Sequence, residues 1–300
     1  MDLLAAMRIF VRVVERGSLS AAARDLGIGQ PAVSERIQQL ERHLGVRLLL
    51  RSTRAVSCTD EGHVFYERCK QVLEAADEAC AAVSPDHQRL RGVLRIAAPQ
   101  GLGDVVLPAL LLRLREQHPQ LRIDLILNDR LVDPITEGVD VSLRLGPTGE
   151  GSFIARRLGQ LRRVLVAAPD YLARHGTPEI PQALVAHPFI RVLGLFGDGQ
   201  LPLIDAGRKP ITTPINVAMS LSHWRPVHAL LVGGGGIGVL QEPVCAEAMA
   251  AGRLIRVLPD YVVPGFDLHA LIPAARPIPP KTRTFLALLE AHLQTLPGFA

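Results

Sequence analysis

Over the first 45 residues, apolar positions recur at helical spacing and are interrupted at glycines. In "LLAAMRIFVRVVERG", Leu3, Met7, Phe10, Val11 and Val14 mark one face, Arg8, Arg12, Glu15 and Arg16 fall elsewhere, and Gly17 stops the helix. Ser18 is a good N-cap for "LSAAARDLG", a short helix whose Ala21, Ala22 and Ala23 permit close approach by a neighbour before Gly27 ends it. A third helix follows Ile28 and Gly29. In "QPAVSERIQQLERHLG", Pro31 sits in the first turn, where a missing N–H costs nothing. Val33, Ile37, Leu40 and Leu44 form its buried face, and Gln30, Ser34, Glu35, Gln38 and Arg42 face away. Residues 47–59, "RLLLRSTRAVSCT", alternate enough to predict a short β-ribbon with Arg51, Ser52, Thr53 and Arg54 at its tip.

Two short helices joined by a tight glycine-containing turn match a helix-turn-helix, whose second helix enters the DNA major groove with its first residues at the base edges. The candidate DNA contacts are therefore Ser18 and Ser20, then Gln30, Pro31, Ser34, Glu35 and Arg36, with Arg51, Ser52, Thr53 and Arg54 as a wing on the backbone or minor groove. From spacing alone, a three-helix packing unit with a polar face reads similarly. Charge separates the regions further. Residues 1–58 hold nine arginines against five acids, residues 59–88 two bases against seven acids, and the whole chain is +4. A basic head before an acidic neck means that only the head meets a polyanion.

In the neck, Thr59 caps "DEGHVFYERCKQVLEAADEACAAVS", with Asp60 and Glu61 in its first turn. Val64, Phe65, Cys69, Val72, Leu73, Ala76, Cys80 and Val83 form an apolar stripe too long for a small head to cover, which calls for a partner helix. The alternative is packing on the chain's own body. Pro85 ends the helix and "SPDHQRLRG" serves as a hinge.

The body predicts short buried strands at "GVLRIAAP", "LRIDLIL", "VDVSLRLG", "RRVLVAAP" and "GIGVL", separated by helical stretches such as "GDVVLPALLLRLREQHP" and "LVDPITEG". It closes on a strand, a proline-rich loop and an amphipathic helix. That alternation argues for α/β architecture with parallel sheets and ligands beyond the strand C-termini. "APQGLGD", with Pro99, Gln100, Gly101 and Leu102, follows the first strand and opens a helix, offering backbone N–H groups and the Gln100 amide to an anionic or polar ligand. Arg144 ends another strand, placed either to clamp a carboxylate or to make a structural contact.

The whole run "FVRVVERGSLSAAARDLGIGQPAVSERIQQLERHLGVRLLLRSTRAVSCTDEG" closely resembles the winged helix-turn-helix of LysR-type transcriptional regulators, in its Phe, Gly-Ser, Ala-Ala, Gln-Pro-Ala-Val-Ser, Leu-Glu, Leu-Gly and Thr-x-x-Gly positions. It departs at Leu50, where the family usually has Phe and a slight change in core packing is expected, and at Gly29, where it usually has Ser and a helix cap is lost. The resemblance implies an α/β multidomain protein. A winged helix-turn-helix would span 1–58, a linker helix that pairs two subunits and a hinge 59–91, and an effector-binding domain 92–300. That domain would have two lobes joined by two crossover strands, lobe one at about 92–162 and 266–300 and lobe two at 163–265. By the same resemblance Leu193, Phe196, Ser220, Ser222, His223 and Trp224 line the effector cleft, although a half-buried helix N-terminus suits Trp224 as well. The implied partners are operator DNA, an organic or aromatic acid as effector, RNA polymerase, and further copies of the chain as a homodimer or homotetramer.

Several classes are disfavoured. No segment has the ~18 apolar residues of a membrane span, and "MDLLAAMRIFVRVVERG" lacks a signal peptide's order, which points to the cytoplasm. Cys58, Cys69, Cys80 and Cys245 have no metal-ligand spacing; Cys69 and Cys80 share a helix face, and space-filling thiols suit them better than a redox pair. "GGGGIGV" fits a dinucleotide fingerprint only superficially, because Pro243 follows and no ribose-binding acid does; a helix end turning into a strand fits better. With no nucleophile elbow, HExxH or P-loop, an enzyme or a cofactor site is not expected. A transport solute-binding module would leave the basic head unexplained.

Overall fold

The computed structural model describes residues 1–51, 56–82, 90–129, 138–274 and 278–299. The chain divides into two compact units, Met1–Gly92 and Val93–Ala300, and each stands on its own core.

The first unit contains α1 (Leu3–Arg16), α2 (Leu19–Leu26), α3 (Gln30–Leu44), a ribbon of β1 (Leu49–Arg51) and antiparallel β2 (Val56–Cys58), and the 23-residue α4 (Asp60–Ala82). Its helices start where side chains supply acceptors: Asp2 accepts from the Ala5 N–H at 3.0 Å, Ser18 Oγ from Ala21 at 3.3 Å and Thr59 Oγ1 from Gly62 at 2.9 Å. Glycine is required at 62 for a different reason. A Cβ there would lie 2.0 Å from the Leu48 carbonyl oxygen, so α4 can approach β1 only without a side chain.

Three expectations need correction. The buried face of α1 is Ala6, Met7, Ile9, Phe10 and Val13, rotated from the predicted stripe, because Arg8 and Arg12 leave two helical phases open and packing on α3 and α4 selects between them. Leu50 is 55% exposed, so its departure from Phe does not touch the core. The α4 stripe also splits. Phe65 tilts against Phe10 with ring centroids 5.5 Å apart, and Cys69 and Leu73 complete the head's core, whereas Val64 is 68% exposed and Val72 also faces outward. Burial pushes the Cys69 thiol up to about 12, as suits a space-filling side chain. The Cys80 side chain, Val83, Pro85 and most of the hinge lie outside the described residues.

The second unit is built on one mixed sheet. Its strands are β3 (Gly92–Ala98), β4 (Leu121–Leu127), β5 (Val141–Leu145), β6 (Phe153–Ala167), β7 (Pro188–Val192), β10 (Asn216–Leu221), β11 (Ile237–Gln241), β12 (Ile255–Arg256) and β13 (Val263–Pro273). They are ordered β10-β7-β11-β6-β13-β5-β3-β4, with β12 on β6. A separate hairpin joins β8 (Gln200–Ile204) and β9 (Pro210–Pro214). The helices are α5 (Leu107–Gln117), entered through a π-helical turn (Leu102–Val106), then α6 (Pro169–His175), α7 (Trp224–Val232), α8 (Glu242–Ala250) and α9 (Pro280–Leu293).

The sheet is parallel where β7 meets β10 and β11, and where β3 meets β5, but β13 runs antiparallel to both β5 and β6, and β6 antiparallel to β11. The expectation of parallel sheets thus holds for β7 with β10 and β11 and for β3 with β5; the two long strands, β6 and β13, reverse direction. β6 also starts nine residues before the predicted Arg162. The glycine run is the end of α7 turning into β11. A Cβ on Gly236 would sit 2.2 Å from the Pro188 carbonyl oxygen, so the strand pairs this closely only with glycine. The last residues return to β6, with Arg162 N–H donating to Gly298 O at 2.7 Å and Leu161 bridging Phe299. "LVDPITEG" lies outside the described residues except for Gly138. Among the described residues no helix is long and apolar enough to cross a membrane, and no group of side chains could hold a metal ion.

Candidate functional site

In the first unit, the opening turns of α3 carry the exposed polar face. Gln30, Pro31, Glu35 and Arg36 are exposed and Ser34 is half-buried, opposite the fully buried Val33, Ile37 and Leu40. Ser20 is exposed on α2, and Ser18 is spent in part on capping that helix. Glu35 accepts from Gln39 Nε2 at 3.1 Å, which holds its carboxylate along the helix. Gly29 is the N-cap of α3 and gives no side-chain bond to it. The helix is fixed to the ribbon by Glu41, whose Oε1 accepts from the Leu48 and Leu49 N–H groups at 2.8 and 3.1 Å. Asp25 ties α2 to α1 through Arg16 and Arg12 at 3.1 and 3.6 Å. Glu41 and Asp25 were not singled out by sequence. The side chain of Arg51 and all of Ser52, Thr53 and Arg54 lie outside the described residues. A convex helix face presenting an amide, a hydroxyl and a guanidinium has the size and donor set to read base edges in a major groove.

In the second unit, Pro99, Gly101 and Leu102 are buried and Gln100 is half-buried at the turn between β3 and the π-helical segment. The Gln100 N–H, expected to be offered to a ligand, instead donates to Asp129 Oδ1 at 2.9 Å. Its side-chain Oε1 is buried with no hydrogen-bond partner among the described residues. Arg144 is buried on β5 and donates from Nη1 to the Asn128 carbonyl at 3.1 Å, a structural contact. Leu193 is exposed. Phe196 packs edge-on to Phe189 at 6.2 Å, with the Arg163 guanidinium 5.4 Å from its ring. Arg191 engages two of the expected lining residues, donating to Ser220 Oγ at 2.9 Å and to the Phe196 carbonyl, and it also donates to the Leu195 carbonyl at 2.9 Å. Ser222 is exposed.

His223 is the N-cap of α7, its Nδ1 accepting from the Arg225 N–H at 3.0 Å, and Trp224 begins the helix stacked on His223 at 5.9 Å. Trp224 is thus at a helix N-terminus, and it also reaches the opposite lobe. Its indole Nε1 donates at 3.1 Å to Asp104 Oδ2, the same oxygen that accepts from Arg225 Nε at 2.9 Å, with His223 Nε2 3.9 Å away. The Arg225 hydrogen bond, outweighing burial, holds the Asp104 carboxyl below the usual carboxylate range. At a second point of this seam, a Cβ on Gly101 would lie 2.4 Å from Gln241 Oε1. Asp104, Arg225 and Gln241 carry no local sequence signal, since each faces residues more than a hundred positions away. Elsewhere a groove of about 700 Å³ runs between α5 and β4, lined by residues that include Leu111, Leu112, Arg115 and Arg122.

Residues 4–63 match the family described as bacterial regulatory helix-turn-helix proteins of the lysR family, and residues 87–294 match the LysR substrate binding domain. The chain is 35% identical to an uncharacterized HTH-type transcriptional regulator, YhjC of Escherichia coli K12, over 98% of this chain and 99% of the relative. It is 34% identical to the regulator DmlR of the same strain, over 88% and 86%. Among solved structures, CrgA, a LysR-type regulator from Neisseria meningitidis, is 28% identical with a TM-score of 0.61, covering 96% of this chain and 98% of that one. AphB, the Vibrio cholerae virulence activator, is 26% identical with a TM-score of 0.60, covering 97% and 99%.

Proposed function

Because the chain belongs to the LysR family of DNA-binding transcriptional regulators, whose operator binding is modulated by a small molecule in a two-lobed α/β domain, we propose which of its surfaces serve each role. The first two turns of α3 enter the major groove, with Gln30, Ser34 and Arg36 at base edges or phosphates and Ser18, Ser20, Pro31 and Glu35 at the rim. Arg51, Ser52, Thr53 and Arg54 form the wing. The observation that carries this is the sharp division of α3 between buried Val33, Ile37 and Leu40 and exposed Gln30, Glu35 and Arg36.

On this reading residues 1–58 bind DNA, 59–91 link and dimerise, and 92–300 bind the effector. Lobe one is about 92–162 with 266–300, and lobe two is 163–265. Exposed Val64 and Val72 on α4 support pairing with a second copy, and tetramers follow from pairs of such dimers. The effector is a small organic or aromatic acid held between Pro99, Gln100, Gly101, Leu102 and Arg144 on one side and Leu193, Phe196, Ser220, Ser222, His223 and Trp224 on the other. The site of action is the cytoplasm, where the operator lies, and contact with RNA polymerase accompanies an activating output.

The test is a footprint on the DNA upstream of the protein's own gene, with a shuffled-sequence control at stated salt. Two protected half-sites one or more helical turns apart are expected. Ser34→Arg should abolish protection and Gln30→Ala should weaken it, in proteins that remain folded. Unchanged protection by both variants would remove α3 from the interface.

A further inference from the structure

We propose that Asp104 is a carboxylate ligand carried by the protein itself: it occupies an anion position made by Trp224, Arg225 and His223 across the lobe seam, and a carboxylate effector binds by taking its place. This rests on the effector reading above and says how the site is held before the effector arrives.

One oxygen of Asp104 receives an indole N–H at 3.1 Å and a guanidinium N–H at 2.9 Å, and its side chain is only 15% exposed. A bound carboxylate is recognised by the same donors at the same distances. The arrangement is not a helix cap, because His223 Nδ1 already serves the Arg225 N–H of α7. Nor is it local, since Asp104 belongs to the π-helical turn after β3 and its donors lie 120 and 121 residues later. Gly101, the residue just before that turn, meets Gln241, so this segment is seated on lobe two at two points.

The contact is also exchangeable. The Arg225 side chain is 60% exposed, and water screens such a pair. A tethered carboxylate nevertheless competes at a high effective concentration, which a free monocarboxylate in dilute solution does not match. An effector must therefore add contacts beyond its carboxylate. Its differential affinity for the arrangement with Asp104 displaced is what shifts the lobes.

Trp224 is the only tryptophan in the chain, so its emission reports this position directly. The probe is sodium acetate, titrated against sodium chloride at equal ionic strength, on full-length wild type, Asp104→Ala and Asp104→Ala/Arg225→Ala. Wild-type emission should be indifferent to acetate. In Asp104→Ala it should change saturably, and removing Arg225 should weaken that response about tenfold. Absence of a saturable response in Asp104→Ala, or an equal response in wild type, overturns the proposal. If the alanine variant does not fold by circular dichroism, Asp104→Ser, whose short side chain also vacates the position, carries the same two outcomes. Operator protection is measured alongside. Acetate filling in an Asp104→Ala variant whose protection equals wild type, with and without acetate, supports the role of Asp104 and sinks the effector reading. A protection change without acetate filling sinks the role of Asp104 alone.

Discussion

In the amino-terminal unit the proposed contact surface comes from residues 18–36 and the wing that follows, whereas at the lobe seam Asp104 meets Trp224 and Arg225 across 120 residues of chain. Both regions set a few polar groups on a packed frame. In the first, α3 alone positions the central groups, Gln30 to Arg36, and its own period decides which face inward. In the second, their positions depend on how two lobes close on β6 and β13. A site built on one helix is rigid as soon as that helix is packed. A site built across a seam takes its geometry from both sides at once, and only where two arrangements exist does a ligand shift them, by its differential affinity.

The largest effect that would sharpen this contrast is expected at Phe10, fully buried and packed on Phe65. Phe10→Ala should cost about 3–5 kcal/mol, enough to unfold the head and end operator protection while the α/β unit keeps its own calorimetric transition. A single transition lost as a whole would break the comparison. A smaller effect separates the regions by pH. Burial, reinforced by His175, lowers the pKa of His187, whose Nδ1 is 2.9 Å from the Tyr171 hydroxyl in lobe two. Because the folded state favours neutral His187, its contribution is complete above the unfolded value of about 6.5 and declines as pH falls below it. The α/β transition should lose stability from about pH 6.5 downward, and His187→Gln should flatten that slope without altering the head's transition. An unchanged slope in the variant would assign the acid sensitivity elsewhere. The smallest effect is at Gly29, which caps α3 with extended backbone and no side-chain acceptor. Gly29→Ser should raise the head's transition by a few tenths of a kcal/mol, measured as a midpoint shift; a loss instead would mean that the hydroxyl disturbs the turn.

The same contrast explains what could be read from sequence. Ser18, Pro31 and Thr59 announced their helix starts because capping is settled within three residues. The ribbon was visible in its alternation and the turn into β11 in its run of glycines, whereas the crossover strands came only with the family resemblance. The phase of α1 was not, because nearly every position apart from Arg8 and Arg12 is apolar and only the neighbouring helices choose among them. Strand direction was also hidden: a buried strand reads alike either way, so antiparallel β13 could not be distinguished from a parallel strand. The Gln100 N–H looked available until Asp129 was brought against it. Asp104 was not singled out at all, because only tertiary closure makes it a partner of Trp224.

The place of β13 in the middle of the sheet, between β5 and β6, bears on synthesis as well as on architecture. α4 ends at Ala82 and β13 at Pro273, so about 190 residues of translation separate the finished head from the strand that closes the body. At roughly 5–20 residues per second that is about 10–40 s on the ribosome. During this interval the emerging chain carries a complete DNA-reading fold, with the exposed face of α4 already formed, while β6 still waits for its neighbour. Nascent chains on one messenger thus present their heads to each other, and to DNA, before either has a body able to sense a small molecule.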